Sequence, residues 1–152
     1  MATLRRFVPL CTLVALLGCG SDSTSPDGLS INDLVGSWIA TSDLFTNNAD
    51  AGETFDLVAE GGEARFTMLS GGGTRIWITL DTFSDEFDAA VTLSGTTLTI
   101  DPVEAGRETT TFEITLEGDV LTLTDVDSEF DFTLSDATPV SATEVAVFVP
   151  NT

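Results

Sequence analysis

The side chains that could do chemistry in this chain of 152 residues are almost all carboxylates. The sequence holds 25 aspartates and glutamates against five arginines, with no histidine and no lysine. Without histidine there is no Ser-His-Asp or Cys-His relay and no imidazole metal ligand, and without lysine there is no Schiff base or P-loop amine. Most familiar catalytic centres are therefore excluded, and we expect no cofactor.

The charges are also unevenly distributed along the chain. Arg5 and Arg6 precede every acidic residue, and from Asp22 onward three arginines face 25 carboxylates, a net charge of −22. A field of that sign repels phosphate backbones, so we expect no nucleic-acid partner. Such an excess is typical of a solvated acidic coat, whose charged partners would be cations.

One acidic run, residues 125–131 (DVDSEFD), places oxygen ligands at alternate positions, as a calcium loop does. An EF-hand requires glycine at position 6 and glutamate at position 12, whereas Phe130 and Asp136 stand there. Because Val126, Phe130 and Phe132 alternate with the acids, we predict an acidic outer strand face or a turn and no metal site. A weak divalent-cation site of another kind is the alternative.

Close pairs of carboxylates are the other arrangement that could act chemically. Asp85, Glu86 and Asp88 could supply the two acids of a glycosidase, which stand roughly 5–10 Å apart. With 25 acidic residues such pairs arise by chance, and nothing in the sequence selects one. We therefore predict no catalytic residues and a protein that is not an enzyme.

The N-terminus has the layout of a secretory signal peptide. A basic start is followed by an apolar run over 7–17, too short for a membrane-spanning helix of roughly 20 residues. Residues 16–19 (LLGC) resemble the lipobox of bacterial lipoproteins. The resemblance implies that 1–18 is removed, Cys11 with it, and that Cys19 is lipidated. The alternative is an ordinary signal peptide in which Cys19 is incidental.

The lipobox resemblance also implies a location. Several acyl chains would hold the protein stably on a membrane. Gly20 rather than aspartate follows the cysteine, which in such lipoproteins favours the periplasmic face of the outer membrane within the cell envelope. Residues 19–30 would be the lipid anchor and a flexible Ser/Gly/Asp-rich linker spanning on the order of 15–20 Å. Residues 31–152 would form one domain, which we expect to be monomeric.

The domain has the alternating pattern of antiparallel strands. Apolar residues recur at every second position, and glycines at 61–62, 71–73, 95 and 118 mark turns. Trp77 is out of phase with its apolar neighbours and is expected to point outward, unless the inward face is reversed there. We predict an all-β, antiparallel up-and-down barrel of 8–10 strands, with a β-sandwich as the alternative. Strands are predicted near 35–41, 54–58, 63–69, 74–80, 86–93, 97–101, 109–116, 120–126, 129–134 and 143–149.

The start of the first strand resembles a family signature. Residues 34–38 (LVGSW) are similar to the Gly-x-Trp opening of lipocalins, and the hairpins at 95–100 and 118–123 are similar to those of small bacterial lipocalin-like lipoproteins. The resemblance covers roughly residues 31–134. It implies that Trp38 plugs the closed end of a barrel, that Gly36 lets the chain bend there, and that both residues are structural.

Two functions fit this sequence. The first is a membrane-anchored, lipocalin-like lipoprotein whose barrel binds a small apolar ligand without catalysis. The second is a structural or interaction lipoprotein of the cell envelope, with a solid barrel core and an acidic binding face. An open lumen of roughly 300 Å³ or more would favour the first. For the first function, the predicted ligand-binding residues are Phe66, Met68, Ile78, Phe87 and Phe112.

Overall fold

The computed structural model describes residues 28–135 and 138–152. The predicted signal peptide, Cys19 and most of the predicted linker lie outside the described residues. Within those ranges there is a short 3₁₀ helix at Ile31–Leu34, and no helix is long and apolar enough to cross a membrane. Nine strands follow it: β1 (Gly36–Asn47), β2 (Thr54–Asp56), β3 (Glu63–Met68), β4 (Gly73–Leu80), β5 (Phe83–Ser94), β6 (Thr97–Pro102), β7 (Thr110–Glu117), β8 (Val120–Phe130) and β9 (Val140–Pro150).

The strands close into an antiparallel barrel. Strands β3 to β9 pair in chain order, and β1 pairs with both β3 and β9, which completes a ring of eight. Strand β2 pairs with the second half of β1 and continues the wall beyond β3. The predicted up-and-down barrel is therefore confirmed. The β-sandwich alternative is not formed, because β9 returns to β1 and removes the free edges that two sheets would keep.

The two ends of the barrel differ in their connections. At the closed end, the 3₁₀ helix leads into β1, and tight turns join β3 to β4, β5 to β6 and β7 to β8. At the open end, most connections are longer, including those that follow β1, β6 and β8. Every strand pairing lies between Gly36 and Pro150.

The inward face matches the alternation seen in the sequence. The predicted inward residues of β3, β6, β7 and the first half of β8 belong to one apolar core cluster. Trp77 lies on the outer face, as expected, with the Arg65 guanidinium 4.9 Å from its ring centre. Period-2 patterning therefore located the interior correctly along these regular strands.

Two strands depart from the prediction. The strand predicted at 129–134 is absent as a separate element, because β8 runs on to Phe130 and the chain then turns. Strand β8 is irregular between Asp125 and Ser128, and β1, which is longer than predicted, is irregular between Ala40 and Ser42. A bulge of this kind changes which face the following residues occupy. Val126, predicted on the buried side, keeps the outward phase of Thr122 and Thr124 and is 60% exposed, whereas the extra residue turns Phe130 to the lumen.

Candidate functional site

The barrel interior is an open cavity of about 1790 Å³. Its floor is apolar and includes Leu34 of the 3₁₀ helix, which is fully buried. Its mouth is formed at the open end, by residues such as Thr82, Phe83 and Glu108 that follow β4 and β6. Small-molecule pockets commonly measure about 300–1,000 Å³, so this lumen is large enough for a ligand with an extended apolar body.

The five residues predicted to bind a ligand all line this cavity. Phe66, Met68 and Phe112 are buried in its deeper part, whereas Ile78 and Phe87 are half-buried. These residues lie on β3, β4, β5 and β7, so the set predicted from the sequence pattern comes from four of the eight strands of the barrel wall. Whether a ligand contacts them stays a prediction.

The floor is held by the signature residues at the closed end. Trp38 is 6% exposed, stacks against Phe66 at a centroid distance of 6.1 Å, and donates a hydrogen bond from Nε1 to the Leu34 carbonyl at 2.9 Å. Gly36 adopts φ = +139°, a conformation that side chains disfavour. The bend at Gly36 thus lets the 3₁₀ helix fold under the barrel, and the tryptophan bonds the helix in place.

An aromatic cluster lies toward the open end. Phe130 stacks against Phe45 at 4.3 Å and Phe55 at 5.0 Å, and meets Phe132 edge-on at 5.0 Å. Phe45, Phe55 and Phe130 line the cavity. These rings give the upper lumen flat π faces, on which an apolar group or a cation can rest.

Arg107 places its positive charge at the cavity, but that charge is already paired. Its guanidinium donates two hydrogen bonds to Asp85, at 2.6 and 2.8 Å, and one to Glu104 at 2.9 Å, and lies 4.3 Å from the ring centre of Phe87. The bonds to Asp85, then to Glu104, raise the pKa of Arg107, and its bonds lower the pKa of Asp85. Arg107 therefore fixes the loop after β6 against the start of β5.

Two carboxyl groups meet inside the upper lumen. Asp43 on β1 and Glu144 on β9 both line the cavity, and they stand on neighbouring strands where Asp43 pairs with Ala146 and Phe45 with Glu144. Asp43 is 5% exposed, and its Oδ1 has no hydrogen-bond partner among the described residues. A buried acceptor without a donor is uncommon in folded proteins.

The surroundings keep this pair partly protonated. Burial, followed by the charge of Asp56, raises the pKa of Asp43 to about 6. Burial, followed by the charge of Asp43, raises the pKa of Glu144 to about 8, although the Ser128 hydroxyl donates to Glu144 at 3.3 Å. Protonated Glu144 then donates a hydrogen bond to the Asp43 carboxylate. Because the charge of Asp43 raises the pKa of Glu144, the two carboxyl groups titrate as a pair and resist carrying two full charges together.

A third carboxylate nearby is ionised. Burial raises the pKa of Asp56, but bonds donated by the Ser42 hydroxyl and by the backbone of Ala59, Asp43 and Val58 outweigh it and leave that pKa below its usual value. The bond from Ser42 Oγ measures 2.7 Å. Asp56 is thus satisfied by its own turn, and its charge adds to the negative potential at Asp43.

The carboxylates singled out in the sequence have other roles. Glu86 and Asp88 contact Arg75 on the outer wall, and Asp85 binds Arg107, so these acids serve in ion pairs. In the acidic run, Asp125 Oδ1 accepts the backbone N–H of Asp127 at 2.9 Å. Across residues 28–135 and 138–152, no three acidic, histidine or cysteine side chains are arranged to hold a metal ion.

Sequence reasoning missed Asp43 and Glu144, although one of them left a signal. Glu144 is in phase with Ala142, Ala146 and Phe148, which are all buried. The valines at 145, 147 and 149 alternate with these residues and are only half-buried. Because valine is more hydrophobic than alanine, the sequence pattern obscured which face of β9 points into the barrel. Asp43 left no such signal, because the bulge after Ala40 shifts it from the outward phase to the inward one.

Neither a protein-family model, nor a curated protein, nor a solved structure matches the chain.

Proposed function

We propose that this chain is a membrane-anchored, lipocalin-like lipoprotein of the cell envelope whose barrel binds a small apolar ligand without catalysis. The observation that carries the proposal is the cavity of about 1790 Å³ with its apolar floor. A barrel that served only as a solid support would fill its interior at the density of a protein core. The size of the lumen therefore favours a binding module over an interaction lipoprotein with a solid core.

The position of the chain start suits this arrangement. Residues 28–34 enter at the closed end, beneath Trp38, and the mouth lies at the other end of the barrel. A lipid on Cys19 would tether the protein through the segment that joins the closed end. The mouth would then point away from the attachment point and remain accessible to ligand. We propose a monomer at the periplasmic face of the outer membrane.

Ligand binding is tested by filling the lumen. The full chain with Cys19→Ser, which removes any attached acyl chain that would compete for the cavity, is titrated with N-phenyl-1-naphthylamine, a neutral apolar fluorophore. We expect saturable, one-to-one enhancement of fluorescence. Ala146→Phe on β9 and Val91→Phe on the facing strand β5 each place a ring in the cavity and should weaken binding at least fivefold.

The matched control is Ala90→Phe, the same enlargement on the exposed outer face of β5. It should leave the affinity unchanged, and urea unfolding of all variants shows whether they remain folded. Absence of saturable binding to the unsubstituted barrel, or equal losses in Ala90→Phe and Ala146→Phe, would contradict the proposal. Mass spectrometry of small molecules extracted from the protein purified from its own membranes would identify the natural ligand.

A further inference from the structure

The carboxyl pair in the upper lumen has no positive partner within the described protein. Arg65 contacts Glu63, Arg75 contacts Glu86 and Asp88, and Arg107 is bound to Asp85 and Glu104. The sequence contains no lysine or histidine that could approach instead. Asp43 and Glu144 are therefore left to share their negative charge inside the barrel, where water screens it less than at the surface.

The geometry of Asp43 shows where a donor is missing. Its carboxyl group is almost fully buried, yet Oδ1 accepts no hydrogen bond from any described residue, and the side chain borders the cavity. A buried carboxylate oxygen is strongly stabilised when a charged N–H donor reaches it. Because Oδ1 is itself enclosed, a small rotation of the carboxyl group would turn it to the lumen, where an arriving N–H donor would satisfy both this oxygen and the charge of the pair.

Aromatic rings stand beside the same position. Phe45 is the register partner of Glu144 across β1 and β9, and Phe130 stacks on Phe45. An ammonium group held near both a carboxylate and aromatic faces gains from each, because a ring face attracts a cation. Below this level the lumen is apolar, with Phe66, Phe112 and Phe148 among its lining.

We propose that the ligand of this cavity is an amphipathic amine, whose protonated amino group binds Asp43 and Glu144 and whose apolar body occupies the floor of the barrel. This inference rests on the proposed function and names its ligand class. The pair would accept N–H donors from one ammonium group, Asp43 through the unpartnered Oδ1. An alcohol could fill the same floor without supplying the charge, and a carboxylate would be repelled.

Binding of an amine to this pair should depend on pH. The groups facing the pair are Asp56 next to β1, and Asp125 and the Ser128 hydroxyl on β8; the carboxylates add negative charge and none supplies a cation. Amine affinity should rise from pH 5 to pH 8 as the pair loses its protons. It should fall at acidic pH, where both carboxyl groups are neutral.

The test compares three ligands with one apolar body. Dodecylammonium, dodecanol and dodecanoate, each at monomeric concentration in 0.15 M NaCl, displace N-phenyl-1-naphthylamine from the full chain carrying Cys19→Ser. We expect dodecylammonium to bind at least 10-fold more tightly than dodecanol at pH 8, and dodecanoate to bind most weakly. Asp43→Asn and Glu144→Gln, which keep the side-chain shapes, should each reduce the amine preference severalfold, and the double variant should abolish it.

Glu117→Gln is the matched control, since it removes the same formal charge from an exposed position at the closed end. It should keep the amine preference, which separates the pair from the general acidity of the surface. Saturable probe binding with equal affinities for the amine and the alcohol would overturn this inference and leave the proposed function standing. Loss of the preference in Glu117→Gln to the same extent would also overturn it. Failure of the barrel to bind the probe at all would overturn both.

Discussion

Replacing Glu144 by glutamine should change the pH dependence of folding stability. Glutamine keeps the size of the side chain and offers an amide N–H donor where protonated Glu144 donates to Asp43, but it cannot ionise. In the folded protein, burial and the charge of Asp43 raise the pKa of Glu144 from 4.5 to about 8. The folded state therefore holds a proton that the unfolded chain has released, and this group makes the wild-type protein less stable as pH rises from about 4.5 to about 8.

The magnitude follows from the size of that pKa difference. Each pKa unit corresponds to about 1.36 kcal/mol, so the shift is equivalent to about 5 kcal/mol at most. Because the pair borders the open lumen, where solvent screens part of its charge, we expect Glu144→Gln to recover about half, roughly 2–3 kcal/mol at pH 9. At pH 4 the two proteins should differ little, since the glutamate is protonated in both the folded and the unfolded states.

Urea unfolding followed by tryptophan fluorescence at intervals from pH 4 to pH 9 measures this difference. Glu117→Gln serves as the control, because it removes one negative charge, as Glu144→Gln does, but at an exposed position, and so reports the general relief of repulsion. A gap between wild type and Glu144→Gln that is the same at pH 4 and pH 9 would refute the reasoning. So would a pH-dependent gap that Glu117→Gln reproduces in full.

Three further outcomes are expected. Trp38→Ala should lower the free energy of unfolding by about 3–5 kcal/mol, because a large buried ring and its bond to the Leu34 carbonyl are lost. Trp77→Ala, on the outer face beside Arg65, should lower it by only about 1 kcal/mol. Equal losses in urea unfolding would contradict the placement of Trp38 in the core. Raising NaCl from about 0.01 to 1 M should raise the midpoint of thermal unfolding, because screening reduces repulsion among the excess carboxylates. Calcium at equal ionic strength should add little. A large shift with micromolar calcium would instead reveal a specific cation site. Cys19→Ser should move the protein from the membrane to the soluble fraction or block its processing in cell fractionation, and a processed, membrane-bound variant would refute the lipid anchor.

The regular strands show how far local pattern reaches. Along β3, β4 and β7, every second side chain faces the same way, so Phe66, Ile78 and Phe112 could be assigned to the interior without knowing which strands are neighbours. The lead-in to β1 likewise marked Trp38 and Gly36 as a structural pair. These features depend on the pleat of each strand and on residues close in sequence, so they can be predicted without the tertiary structure.

The irregular strands show where local pattern stops. Nothing near Ala40 in the sequence announces that the register slips there, yet the slip turns Asp43 from the solvent into the lumen. The break after Asp125 likewise turns Phe130, which would otherwise follow the outward phase of Thr122 and Thr124, into the lumen. A bulge forms because neighbouring strands must fit the curvature of a closed barrel, which is a demand of the whole sheet.

The sequence by itself determined that this chain folds as antiparallel strands with an apolar interior, and that it holds no lysine or histidine to neutralise a buried acid. Only the tertiary structure decided that the interior stays open and that Asp43 and Glu144 meet within it. Both decisions depend on barrel closure, because β9 pairs with β1 and brings together residues from opposite ends of the domain. Their raised pKa values and the unpartnered oxygen follow from that meeting and from burial, neither of which is a property of any local segment.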